Sequence, residues 1–235
     1  GLPAVVTVTL SVGTLALARR GAIVKRLASV ETLGSTSVIC SDKTGTLTLN
    51  QMTAQALVVG TEQLAVTGSG YGREGSIAAP SSPAAELAVH RAPVAMAPCN
   101  DATVTDGELV GDPTEGALVT LAQKGGVDVE RDRGRFARVA EVPFDSARKF
   151  MATVHAGPTA GTPERERLLA ILDELADQGL RVLAVAGREL APGEAPEADA
   201  DPDLVLELVR DLDVLAVVGL LDPPRPEARD AIGVC

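Results

Sequence analysis

The feature that most constrains this chain is a short β-branched run ending on an acid: Ser37-Val38-Ile39-Cys40-Ser41, then Asp42, with Gly45 in the turn behind it. A run of that length and composition reads as a buried strand. An aspartate at the carboxyl end of such a strand points into the crevice where open α/β sheets bind ligands. A carboxylate there can attack a phosphoryl group and form an acyl phosphate. Lys43 puts positive charge beside it, and Thr44, Gly45 and Thr46 offer hydroxyl and amide donors for phosphoryl oxygens. A bare Asp-x-x-Gly-Thr would be read as an ordinary turn. The longer string Asp42-Lys43-Thr44-Gly45-Thr46-Leu47-Thr48 goes beyond that.

Downstream, strands and helices alternate. Residues 50–65 mix strand-like alternation with turns, and 68–83 form a loop by composition. Residues 84–97 read as a helix that Pro93 should break or kink. Asp112-Pro113-Thr114-Glu115 is a helix start, with Asp as N-cap, Pro in the first turn and Glu placed for a capping box. Leu118, Leu121 and Ala122 would line its apolar face, and Gly125-Gly126 would end it. Residues 138–144 and 149–155 read as two strands around a turn at Asp145-Ser146. A helix opens at Thr162-Pro163-Glu164, carries Leu168, Leu169, Leu172, Leu175 and Ala176, and stops at Gly179. Residues 180–186 are a strand, 191–203 an acidic, proline-rich loop expected to be mobile, and 214–221 a buried strand.

The whole-chain numbers narrow the function classes. With 235 residues, 46% hydrophobic and 23% charged, the chain is long enough for one large domain or two small ones. A net charge of -11 argues against nucleic acid as a partner. Three cysteines (Cys40, Cys99, Cys235) and two histidines (His90, His155) are too scattered for a disulfide framework or a zinc site. Residues 1–18 carry no charge and are followed by Arg19, Arg20, Lys25 and Arg26. That pattern fits the cytoplasmic end of a membrane-crossing helix, or a buried core helix, with nothing in the physics to separate the two.

The string from Ile39 to Thr53, ICSDKTGTLTLNQMT, resembles the phosphorylation signature of P-type cation-transporting ATPases, members of the haloacid dehalogenase superfamily. The resemblance extends in family order along the chain, toward the calcium-pump-like subgroup. Gly1-Leu2-Pro3 looks like the tail of the broken fourth transmembrane helix. Residues 26–34 are similar to the stalk connection. Cys99-Asn100-Asp101, Gly111 to Glu115, Phe144 to Lys149 and Gly179 to Leu183 resemble parts of the nucleotide-binding domain. Asp222-Pro223-Pro224-Arg225 looks like the hinge returning to the phosphorylation domain.

The resemblance implies an α/β fold with four stretches: a transmembrane-helix stub (1–18), the first part of an incomplete Rossmann-like phosphorylation domain (19–50), an inserted nucleotide-binding domain on a mainly antiparallel sheet (51–221), and the start of the returning phosphorylation domain (222–235). It implies ATP hydrolysis coupled to cation transport through an aspartyl-phosphate at Asp42, with Lys43 and Thr44 beside the phosphate. Mg²⁺ would be held by Asp42 and the Thr44 carbonyl. Glu115, Phe144, Lys149 and Arg181 would shape the ATP site. ATP, a transported cation and the lipid bilayer are the implied partners, with these domains on the cytoplasmic side of a membrane. Thr44 stands where superfamily phosphatases usually carry a second aspartate, which disfavours a phosphohydrolase. The family's Lys-Gly-Ala segment is missing around residues 156–161, so ATP binding should be weak. Its later catalytic motifs do not occur in these residues, so the chain alone should not turn over ATP. A nucleotide-binding module without turnover is the alternative reading.

Overall fold

The computed structural model describes residues 1–156, 174–198 and 200–234. They belong to two compact units, Gly1–Lys43 and Thr44–Cys235.

In the first unit, α1 (Leu2–Arg19) and α2 (Ala28–Gly34) are the helices. α1 has Pro3 in its first turn, where the missing amide is no loss, and Arg19 in its last, where a cation suits the helix dipole. Thr7, Thr9, Ser11 and Thr14 each donate to the carbonyl four residues back, so the helix satisfies its own hydroxyls. No residue of α1 is buried, which removes the core-helix alternative within this unit. By length and composition α1 is apolar enough to cross a membrane.

Residues 37–41 are not the buried strand that their composition suggests. They carry no regular structure, and Val38 and Ile39 are 75% and 74% exposed. β-Propensity is mostly a measure of fit to a pleated, half-buried neighbour. Among the described residues no strand pairs with this run.

The second unit is built on a four-stranded sheet in the order β2 (Glu62–Ala65), β1 (Thr53–Val59), β8 (Asp213–Leu221), β7 (Arg181–Gly187). Every pairing is antiparallel, as expected for the inserted domain. β8 is central and buried from Leu215 to Leu220, which explains its continuous apolar run. Leu57, Val59, Val218 and Leu220 pack with Met96, Leu118 and Leu121 of α3 (Pro83–Cys99) and α4 (Pro113–Lys124). Ala56, Val58 and Val217 face the other way, against Leu175 of the helical residues 174–177. Gly179 follows at φ +76°, the left-handed stop foreseen for that helix. The remainder of that helix and the segment 157–161 lie outside the described residues.

β3 (Thr103–Thr105) and β4 (Glu108–Val110) form a tight hairpin through Asp106-Gly107, both at positive φ, the pairing that a two-residue turn favours. After α5 (Val129–Arg135), β5 (Ala137–Asp145) and β6 (Phe150–Ala156) make a second hairpin. Its Ala140 and Val142 pack on Val205 of α6 (Pro202–Glu207). α7 (Pro226–Val234) ends the described chain.

Pro93 does not break α3: the helix runs on through Pro93 and Pro98. The ring of Pro93 is buried against Gly125, where an added β-carbon would lie 2.8 Å from Cγ. Burial of the ring offsets the one lost helical hydrogen bond.

Candidate functional site

Asp42 is exposed in the first unit, and its Oδ1 accepts the amide of Lys43, also exposed, at 2.8 Å. In the second unit Thr44 is extended and Gly45 is left-handed at φ +73°. That turn leads into a clasp. Gly45 donates its amide to Thr48 Oγ1 at 3.2 Å, and Thr48 donates its hydroxyl to Asp222 Oδ2 at 2.5 Å. Asp222 Oδ1 accepts the amide of Gln51 at 3.2 Å. Arg225 returns the contact: its Nε donates to the Thr48 carbonyl at 2.9 Å and its Nη2 to the Gly45 carbonyl at 3.0 Å. The backbone amides of Leu49 and Arg225 bond the carbonyls of Pro223 and Leu47. The sequence marks both strings, but only the geometry shows Thr48, Asp222 and Arg225 holding them together.

Glu115 departs from its expected capping box. Asp112 caps α4 through Oδ1, which accepts the amides of Thr114 at 2.7 Å and Glu115 at 3.3 Å. The Glu115 carboxylate does not turn back to the cap. It reaches the connection after α3, where Oε2 accepts the amides of Asp101 and Ala102, each at 2.9 Å. Two successive amides are a better match for one carboxylate oxygen than the single amide of a capping box. Arg181, at the start of β7, donates from Nη1 to Thr114 Oγ1 at 3.2 Å, so Arg181 and Glu115 share the N-terminal end of α4.

Phe144 and Lys149 flank the turn of the β5–β6 hairpin. Phe144 is 63% exposed, so it is not the core ring that an apolar residue in a strand would suggest. Asp145 shapes the turn by accepting the amides of Ala147 at 2.6 Å and Arg148 at 3.0 Å. Those bonds hold its carboxyl below its ordinary range, the Arg148 amide contributing most. Lys149 is left-handed at φ +63°, and its amide bonds the Asp145 carbonyl at 2.7 Å. The sequence-expected residues therefore fall into two pairs, Glu115 with Arg181 and Phe144 with Lys149. The described residues show no hydrogen bond or ion pair joining one pair directly to the other.

No group of three or more His, Cys, Asp or Glu side chains is placed for a metal among the described residues. The Asp42 carboxylate and, separately, the Thr44 carbonyl are hard oxygen donors of the kind that Mg²⁺ takes.

A family model described as P-type ATPase, cytoplasmic domain N, matches residues 89–164 and 160–227. The chain is 38% identical over 274 residues to a calcium-transporting ATPase of Bacillus subtilis, covering 100% of this chain and 30% of that protein. It is 36% identical over 269 residues to the probable cation-transporting ATPase F of Mycobacterium tuberculosis, covering 100% and 29%. To calcium-transporting ATPase type 2C member 1 of Mus musculus it is 36% identical over 270 residues, covering 99% and 27%. The chain spans less than a third of the length of each of these relatives.

Proposed function

Because the chain belongs to the P-type cation-transporting ATPases, we propose that it supplies the nucleotide-binding unit and the phosphorylated aspartate of an ATP-driven cation pump. The observation that carries this reading is the open ring of Phe144 beside Lys149 at the tip of a hairpin. The chain has three Phe and no Trp, so aromatic faces able to stack on adenine are few. Lys149 and Arg181 supply positive charge for the phosphates.

In the proposed reaction a carboxylate oxygen of Asp42 attacks the γ-phosphorus of ATP. The bond from that phosphorus to the bridging oxygen breaks, ADP leaves with the electron pair, and an acyl phosphate remains. The Asp42 carboxylate and the Thr44 carbonyl are the oxygens that would hold Mg²⁺, which would supply charge neutralisation for this transfer. Thr44 has no carboxylate to activate water, so the acyl phosphate would persist long enough to drive transport. On the same reading α1 is part of a membrane-crossing helix whose basic end, Arg19 to Arg26, faces the cytoplasm. The calcium-pump names of the relatives motivate the subgroup.

Titration of the chain with ATP, followed by NMR, should shift resonances around Phe144, and Phe144→Ala should remove the shifts. Shifts that survive the substitution would move the site elsewhere. A second reading, nucleotide binding without turnover, is favoured by the bare residues 37–41, which leave Asp42 without a rigid support. Labelled ATP and Mg²⁺, given to a chain extended through the family's later catalytic motifs, decide between the two. Hydroxylamine-sensitive phosphate that Asp42→Asn abolishes supports the pump reaction, and no label on the extended chain supports the binding module.

A further inference from the structure

The β5–β6 hairpin carries Phe144 and Lys149 but is not hydrogen-bonded into the four-stranded sheet. Glu115 and Arg181 sit on α4 and β7. A ligand that touches both pairs needs the hairpin held at a fixed position relative to α4. A guanidinium supplies one such link. Arg138, near the start of β5, places Nη2 2.7 Å from Asp101 Oδ1 and shares that nitrogen with the carbonyls of Pro98 at 3.0 Å and Cys99 at 3.3 Å. Its Nη1 donates to Glu141 Oε2 at 2.7 Å. The backbone amide of the same Asp101 donates to Glu115 Oε2. Hydrogen bonds therefore connect the carboxylate of Glu115, through the backbone and side chain of Asp101, to Arg138 on β5, the strand that carries Phe144.

We propose that Arg138, through Asp101, is a positioning residue for nucleotide binding: it fixes the hairpin bearing Phe144 and Lys149 against the end of α4 bearing Glu115. The proposal rests on the nucleotide site of the preceding section. Arg138 and Arg133 share the capping of α3 and its connection, Arg133 taking the carbonyls of Ala97 at 3.1 Å, Asn100 at 2.6 Å and Ala102 at 2.8 Å. What Arg138 adds is the reach from β5 to a carboxylate on the α3–β3 connection. The planar fork serves four acceptors at once, which the single ammonium of lysine cannot do with the same geometry. The Arg138 side chain is 25% exposed, so it is partly shielded from water even though Asp101 is 66% exposed.

Three single variants of the full chain, Arg138→Met, Arg138→Lys and Asp101→Asn, and one double variant test this. Arg138→Met should weaken ATP binding about tenfold, and Arg138→Lys should recover only part of the loss. Asp101→Asn should weaken it similarly, and the double variant Arg138→Met/Asp101→Asn should be no worse than Arg138→Met. A role in capping α3 alone leaves Asp101→Asn at wild-type affinity, which would overturn the proposal. If Arg138→Met fails to fold, the affinity of Asp101→Asn decides. An independent readout needs no ATP. Residual dipolar couplings of β5–β6 and of the four-stranded sheet should fit one alignment in the wild-type chain and two in Asp101→Asn. A single alignment in both refutes the positioning role. A wild-type chain that is rigid but does not bind ATP would instead refute the nucleotide site.

Discussion

At Lys149 the backbone lies in the left-handed region, which costs a side-chain-bearing residue roughly 1–2 kcal/mol. Strain of this kind persists where the surroundings impose it, and here Asp145 imposes it from both its carboxylate and its carbonyl. The charge and the strain of Lys149 are separable. Lys149→Gly should keep or raise the melting temperature, because glycine accepts the conformation, whereas Lys149→Met should not. Both should weaken ATP binding to the same extent if the ammonium is what matters, and titration of the two variants checks this. A second residue-scale case is Glu194. The Arg188 guanidinium, bonded to both carboxylate oxygens, holds its carboxyl down at about 2, with help from the Ala191 amide. The folded value lies below the ordinary ~4.3, so the pair stabilises the fold above that pH, and the contribution is lost as pH falls through about 2. Glu194→Gln should therefore lower the melting temperature at pH 7 and leave it unchanged near pH 2. An equal loss at both pH values would mean that the carboxylate's charge is not the cause.

Between elements, α3 meets the end of α4 tightly at Pro93 and Gly125. A β-carbon at Gly125 would lie 2.8 Å from Pro93 Cγ and 3.1 Å from its Cβ, and a pyrrolidine ring cannot swing aside. Gly125→Ala is expected to destabilise the unit by about 1–3 kcal/mol through overpacking. Pro93→Ala/Gly125→Ala should recover part of that loss, measured by denaturant unfolding. The same contact shows where the sequence was readable and where it was not. Val214 to Leu221 announced itself because the body of a central strand, Leu215 to Leu220, is buried, and Asp112-Pro113 because a cap is a local interaction. That α3 continues through Pro93 was not readable locally, because the glycine packed on its ring lies far along the chain. Glu115 misled for a related reason: its motif fitted a local box, while its real partners are amides of the α3–β3 connection. At the hairpin turn, Phe144 and Lys149 were singled out by the family resemblance, and nothing local in the sequence pointed to the bond between Arg138 and Asp101. The run 37–41 had the composition of a strand without the neighbour that makes one.

Across the second unit, the clasp and the central sheet join residues that are far apart in sequence. Thr48 and Asp222 should behave as a coupled pair: a double-mutant cycle of Thr48→Val and Asp222→Ala is expected to give about 1–2 kcal/mol of interaction energy. Simple additivity would mean that the hydrogen bond contributes little beyond the backbone bonds beside it. Above the clasp, β1 pairs with β8, Thr53 opposite Leu221. On a ribosome, β1 and its short partner β2 emerge early, yet the strand that covers the other edge of β1 is made only after nearly all the rest of the unit. At ordinary rates of synthesis that interval is roughly 10–30 s. Throughout it Leu57, Val58 and Val59 lack the neighbour that buries them. Closure of this sheet therefore waits on β8, and the nascent β1 edge is where a chaperone would have most to protect.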